Sequence, residues 1–295
     1  MTSVLKRIPS QSHRTIAMNK STGFNLPLAY EIYKPQTNVK SEAVIILHGL
    51  FGSKKNNRGI SKVLARDLGR PVYAIDLRNH GDSPHNQKHD YLSMAEDLFW
   101  FISVHGLKNP TLIGHSMGAK AAMALALQYP SLIQDIVSVD NAPANIMFPS
   151  DFSRYIEGMQ KIEAAKVQKQ SEADEILQGY VESLPVRQFL LGNLYRTEDK
   201  SQRFKIPLEI LNRSLTTLRN FPIQELESHK FKKPSLFVRG TKSNFIPDHL
   251  LPGIENFFPQ YKLVDIEAGH WVISDNPDEF RKAVVQFLNR KEQVE

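Results

Sequence analysis

The run TLIGHSMGAKAAMALALQYP places Ser116 between Gly114 and Gly118, with His115 and Met117 on either side. Apolar, β-prone residues lead into it and an alanine-rich helical pattern leads out. That context makes the G-x-S-x-G a strand–turn–helix elbow, whose tight turn lifts the serine above a sheet. A Cβ at either glycine would collide with neighbouring backbone, so both positions call for glycine. Three fixed letters are a weak signal alone, and the flanking pattern gives them weight.

A serine hydroxyl attacks a carbonyl only when a base takes its proton. In this arrangement the chain order is serine, acid, histidine. The histidine is His270, in EAGHWVISDNPDEF, just after the apolar run KLVDIE. The acid is less obvious. The loop after SLFVRG reads GTKSNFIPDH, with Ser243 and Asn244 where a carboxylate is expected, and Asp248 further on reads as a helix-start residue. The stronger candidate is Asp140, at the end of DIVSVD, set against its reading as a turn residue before Asn141-Ala142-Pro143. A carboxylate there would hold the imidazole tautomer and stabilise the imidazolium. Two backbone N–H groups must meet the developing oxyanion. One is that of Met117; the other is assigned to Leu50, after His48-Gly49 in HGLFGSKKNN, with Phe51 near the acyl pocket.

The elements that must position these residues follow from hydropathy patterning. AVIILHG (43–49), PVYAIDL (71–77), TLIGH (111–115), DIVSVD (135–140), SLFVRG (235–240) and KLVDIE (262–267) read as strands. Their unbroken apolar character suits a parallel sheet covered on both faces. SKVLARDL, SMAEDLFWFISVH, 117–129 and PDEFRKAVVQFLNR carry helical spacing between them. This alternation predicts an α/β fold with a mostly parallel, doubly wound sheet. From 142 to 230 the strand pattern stops, and RYIEGMQKIEAAKVQKQ and ADEILQGYVESL, with prolines at 143, 149, 185, 207 and 222, predict an all-helical cap over the carboxyl edge of the sheet. The expected division is a core of 26–141 and 231–295, the cap, and a separate segment 1–25.

Composition narrows the function. The 295 residues are 41% hydrophobic and 23% charged, enough for a full core. With no cysteine, thiolate metal sites and a cysteine nucleophile are excluded. The net charge of +6 is scattered rather than clustered with aromatics, which argues against nucleic acid as a partner. No apolar stretch has the length of a membrane span. Residues 1–25 hold Lys6, Arg7, Arg14 and Lys20 with several Ser and Thr, and the first acid is Glu31. That pattern reads as a mitochondrial presequence or as a disordered basic tail. His80, His85, His89 and Asp90 crowd one loop, but exposed loop histidines are commoner than a metal site, and neither a metal nor another cofactor is expected.

With these residues located, the sequence resembles an α/β-hydrolase. It is similar to a branch that includes yeast ethanol acetyltransferases, a mitochondrial animal hydrolase and small bacterial esterases. The resemblance runs from about residue 26 to the end and rests on HGLFGSKKN, DLRNHGDSPH, GHSMGAK, VSVDNAP, PVRQFLLGNL and AGHWV in that order. It implies that the acid follows the strand after the nucleophile, as Asp140 does. His48, Gly49, Asp76, Arg78, Gly114, His115 and Gly118 are expected to support the reacting groups, with Asp76 and Arg78 pairing across their turn to brace the oxyanion loop. The likeness to the fungal members implies acetyl transfer from acetyl-CoA to a small alcohol, ethanol, with thioester and ester hydrolysis as side activities. The catalytic residues are common to transfer and hydrolysis, so a short-chain esterase or a lipase-like hydrolase is the alternative reading. Lys54, Lys55 and Arg58 stand either for CoA phosphate contacts or for a solvated surface. A non-catalytic ligand-binding protein would carry a damaged triad or oxyanion loop, and neither is seen.

Overall fold

Short runs of branched residues build the sheet. The structure, a computed structural model, describes residues 26–37, 40–145 and 151–289. The strands are β1 (Tyr30–Tyr33), β2 (Val44–Leu47), β3 (Val72–Ile75), β4 (Thr111–His115), β5 (Asp135–Val139), β6 (Leu194–Arg196), β7 (Gln202–Phe204), β8 (Ser235–Gly240) and β9 (Tyr261–Ile266). Seven of them form one sheet in the order β1-β3-β2-β4-β5-β8-β9. Only its edge strand β1, which the sequence pattern did not single out, runs antiparallel to its neighbour β3.

Alternation along the strands divides the core into two layers. Val44 and Ile46 face a layer with Ile113, Val137 and Val139, under α1 (Arg58–Leu68) and the C-terminal helix. Ile45 and Leu47 face the opposite layer, under α2 (Tyr91–Val104) and α3 (Met117–Gln128). Helix α3 is buried from Met117 to Leu127, and its five alanines let it lie close to the sheet and to α2. Strand order reverses between β2 and β4. The loops that follow these two strands therefore open side by side at the carboxyl edge, where open α/β sheets bind their ligands.

Between β5 and β8 lies the cap. It contains α4 (Asp151–Ala165), α5 (Gln170–Gln178), α6 (Leu184–Leu191), α7 (Leu208–Arg219) and the short α8 (Ile223–Leu226). Pro185 lies in the first turn of α6, while Pro207 and Pro222 precede α7 and α8, so these prolines open helices. The cap is not all-helical: β6 and β7 form an antiparallel hairpin between α6 and α7. Its three-residue strands, LYR and QRF, are too short and too polar for alternation to reveal them. The described residues after β8 also form α9 (Leu251–Phe257), α10 (Val272–Asp275) and α11 (Pro277–Leu288). Among the described residues no helix is long and apolar enough to cross a membrane. The basic segment 1–25 lies outside the described residues.

Candidate active site

Ser116 sits at the tip of the turn between β4 and α3 with φ of 53° and ψ of −113°, a sparsely populated conformation that costs a non-glycine residue roughly 1–3 kcal/mol. The flanking glycines make the turn possible. A Cβ on Gly114 would stand 2.3 Å from the Gly118 carbonyl oxygen, and one on Gly118 would stand 2.6 Å from that of His48. Both clashes are with backbone, so neither is relieved by rotating a side chain. The serine is 7% exposed.

The structure brings Ser116, His270 and Asp140 into one chain of hydrogen bonds. His270 Nε2 lies 3.0 Å from Ser116 Oγ, and His270 Nδ1 lies 2.7 Å from Asp140 Oδ2. Asp140 is wholly buried and also left-handed, with φ of 50°. Its conformation is held from several sides. Its N–H donates to Val238 O at 2.8 Å, its Oδ1 accepts from the Gly240 N–H at 3.1 Å, and its Oδ2 accepts from the Ser243 hydroxyl at 2.5 Å. The loop after β8 thus supplies a hydroxyl to the carboxylate that follows the neighbouring strand β5. Asp248, the other acid considered, points into solvent with its side chain 85% exposed and pairs with Arg239 at 2.6 Å. Phe245 stacks on the His270 ring at 3.8 Å and 17°, fixing its plane.

The loop after β2 is the one expected to hold the second oxyanion donor. A methyl on Gly49 would stand 3.3 Å from Ser116 Cβ, so this loop lies directly against the elbow. The Gly49 carbonyl accepts from His48 Nδ1 at 2.8 Å and from the Gly52 N–H at 3.0 Å. In a trans peptide the N–H points opposite to the C=O, so these bonds also fix the direction of the Leu50 amide. His48 Nε2 accepts from the Leu77 N–H at 3.0 Å, which sets the neutral tautomer protonated on Nδ1. Burial pushes the His48 pKa down in the same sense. Met117 is the first residue of α3, and the Ser116 carbonyl takes the amides of Ala119 and Lys120, so the Met117 N–H stands at the open end of the helix. Phe51 is buried, with its ring 6.0 Å from that of Phe152 in the cap.

His115 donates from Nε2 to the His270 carbonyl at 2.8 Å, tying the two loops together. Burial, and then the neighbouring His270, lower its pKa to about 3, so it stays neutral. A cavity of about 430 Å³ opens beside it, with Gly49, Val186, Phe189, Trp271 and Ile273 among its walls. Phe189 of α6 meets Trp271 edge-on at 4.5 Å, so cap and core share this wall.

Two expectations are corrected. Asp76 and Arg78 do not pair with each other. Asp76 takes the Lys54 ammonium at 2.5 Å, the Lys54 N–H at 2.6 Å and the Asp82 N–H at 2.9 Å. Arg78 turns toward α2 and forms a two-pronged pair with buried Asp97 at 2.6 and 2.7 Å. The loop is braced, but by partners from other elements that no local pattern reveals. The same geometry removes Lys54 from the candidate phosphate contacts, because its ammonium is buried between Asp76 and Asp82. Arg58 pairs with Glu31 at 3.0 Å, and Lys55 is exposed. The histidines of the neighbouring loop have separate partners: His80 meets Arg78 O, His85 meets Lys205 O, and His89 meets Asn79. Among the described residues no group of three His, Asp or Glu has a metal-binding arrangement.

A parallel sheet with a serine elbow at its topological switch, a histidine after the last strand and a cap over both is the architecture of the α/β hydrolases. The chain belongs to the alpha/beta hydrolase fold family, whose model matches residues 42–277. It is 37% identical over 290 residues to a probable alcohol acetyltransferase of Saccharomyces cerevisiae, covering 90% of this chain and 84% of the relative. It is also 37% identical over 291 residues to the sn-1-specific diacylglycerol lipase ABHD11 of Xenopus laevis, covering 95% and 91%. Among solved structures it is similar to a marine microorganism esterase, with a TM-score of 0.82 and 32% identity over 89% of this chain and all of that one. The protein is an enzyme of this superfamily, an acyltransferase or a hydrolase.

Proposed function

We propose that the protein transfers an acetyl group from acetyl-CoA to ethanol through an acyl-serine, with thioester and ester hydrolysis as side reactions. The observation that carries the reading is the continuous hydrogen-bonded line Ser116–His270–Asp140 at the edge of the sheet. Ser116 Oγ attacks the thioester carbonyl as His270 Nε2 takes its proton, while the Leu50 and Met117 amides face the oxyanion. Collapse expels the CoA thiolate, which receives the proton from His270. Ethanol then gives its proton to His270, attacks the acyl-enzyme and leaves as ethyl acetate, restoring the Ser116 hydroxyl. Water in place of ethanol gives acetate. The alcohol acetyltransferase relative and the motif order of the chain support the transferase reading.

A second reading, a lipase-like esterase, is favoured by the lipase relative and by the cavity of about 430 Å³ beside Gly49 and His115. One assay separates the two: purified protein is given acetyl-CoA with and without ethanol, and ethyl acetate, acetate and free thiol are followed together. Ethyl acetate that rises with ethanol supports transfer, whereas acetate alone with ready cleavage of longer esters leaves the hydrolase. Labelling by a fluorophosphonate in wild type but not in Ser116→Ala would dismiss a purely ligand-binding role. We also propose that residues 1–25 direct mitochondrial import, on the basis of their basic, acid-free composition. A fluorescent protein fused behind this segment and found diffuse in the cytosol would overturn that.

A further inference from the structure

The hairpin in the cap has a base that reaches the oxyanion loop. Asn193, 6% exposed, immediately precedes β6. Its carbonyl accepts from the Lys205 N–H at 2.9 Å, which closes the hairpin. Its side-chain amide donates to the Phe51 carbonyl at 2.8 Å, from a position 142 residues further along the chain, and to the Leu190 carbonyl at 3.2 Å. Lys205, its partner across the hairpin, pairs with Asp82 at 2.8 Å, and Asp82 also holds the Lys54 ammonium. The base of the hairpin thus grips both the oxyanion loop and the loop that braces it.

Phe51 is where such a grip matters. It is a non-glycine residue with φ of 62°, in the third position of the turn closed by Gly52 N–H to Gly49 O. A left-handed phenylalanine is unfavourable unless its surroundings fix it. From the core side, its N–H donates to His80 Nε2 at 3.1 Å, and His80 is itself anchored through Nδ1 to Arg78 O at 2.9 Å. From the cap side, the bond to its carbonyl is Asn193. Leu50, immediately before it, is therefore tethered upstream at Gly49 O and downstream at both ends of Phe51.

We propose that Asn193 is a positioning residue through which the docked cap sets the direction of the Leu50 oxyanion donor. The inference rests on the reading of Leu50 as that donor. A cap that lifts away would release the Phe51 carbonyl and let the turn relax, so acyl transfer is tied to a seated cap.

The test compares wild type, Asn193→Asp and Asn193→Ser, with active sites counted by fluorophosphonate titration. Asp keeps the shape but cannot donate; Ser keeps a hydroxyl and serves if the Asp variant does not fold. Two inhibitors are measured beside p-nitrophenyl acetate turnover. A trifluoromethyl ketone adds Ser116 and puts an oxyanion in the hole, and the matching secondary alcohol fills the site without one. For Asn193→Asp, kcat is expected to fall about 10- to 100-fold with KM within about twofold. The ketone should weaken in step with kcat/KM while the alcohol binds as before. Full activity, or lost activity with undiminished ketone affinity, would overturn the role of Asn193. Should the wild-type protein bind the ketone no more tightly than the matching alcohol, the underlying oxyanion reading fails instead, and the two failures are distinct.

Discussion

Replacing Asp140 with asparagine tests the assignment of the acid most directly, because the surrounding donors dictate how the amide must sit. The two carboxylate oxygens have different partners: Oδ1 accepts from the Gly240 N–H, and Oδ2 accepts from His270 Nδ1 and the Ser243 hydroxyl. In Asp140→Asn, turning the NH₂ toward Gly240 sets donor against donor in a fully buried site, a cost of about 1–3 kcal/mol. The amide therefore keeps its oxygen on Gly240 and presents its NH₂ to His270. The imidazole must then accept at Nδ1 and carry its proton on Nε2, where it can no longer take the serine's proton. With the loss of the carboxylate charge that stabilises the imidazolium, kcat should fall about 10⁴-fold, or roughly 5 kcal/mol of barrier. The assay is single-turnover acylation by p-nitrophenyl acetate, with circular dichroism to verify the fold. Asp248→Asn serves as the control, since its exposed pair with Arg239 lies away from His270. A loss under tenfold in Asp140→Asn, or a larger loss in Asp248→Asn, would refute the reasoning.

Three further outcomes follow from the packing. Lys120 is fully buried on α3, donates to the Arg219 carbonyl at 3.1 Å and lies 5.5 Å above the Tyr91 ring; burial lowers its pKa from 10.5 to about 7. Between these values the unfolded chain binds the extra proton, so stability falls by up to about 5 kcal/mol as pH drops from 10.5 to 7 and levels off below. Lys120→Met should accordingly be more stable than wild type at pH 6 by urea denaturation, with the gap closing toward pH 10; a gap independent of pH would contradict this. Gly114→Ala places a methyl against the Gly118 carbonyl, and should cost about 1–3 kcal/mol or more in thermal denaturation while reducing fluorophosphonate-reactive sites. Phe245→Ala removes the ring stacked on His270, and kcat is expected to drop about tenfold with little change in melting temperature, because a loosened hydrogen bond from base to serine costs rate before it costs fold.

Much of the molecule was legible before its structure. The six parallel strands, the elbow and the position of the cap follow from local patterns: unbroken apolar runs, glycines at fixed offsets, helical spacing and proline breaks. The hairpin was hidden because LYR and QRF carry no alternation long enough to register. The partners of Asp76 and Arg78 were hidden for another reason. Adjacent opposite charges invite local pairing, but Lys54 and Asp97 offered better-buried geometry from a loop and a helix elsewhere in the chain.

By itself, the sequence determined the candidate serine and histidine and narrowed the acid to Asp140 or Asp248, because strand, turn and helix signals are written within a few residues of each. Only the tertiary structure decided how those groups are held. The Ser243 hydroxyl and the Gly240 amide grip Asp140 from 103 and 100 residues away, and Asn193 reaches Phe51 across 142. Such contacts leave no periodic trace, since they depend on where the folded sheet and cap bring distant loops together.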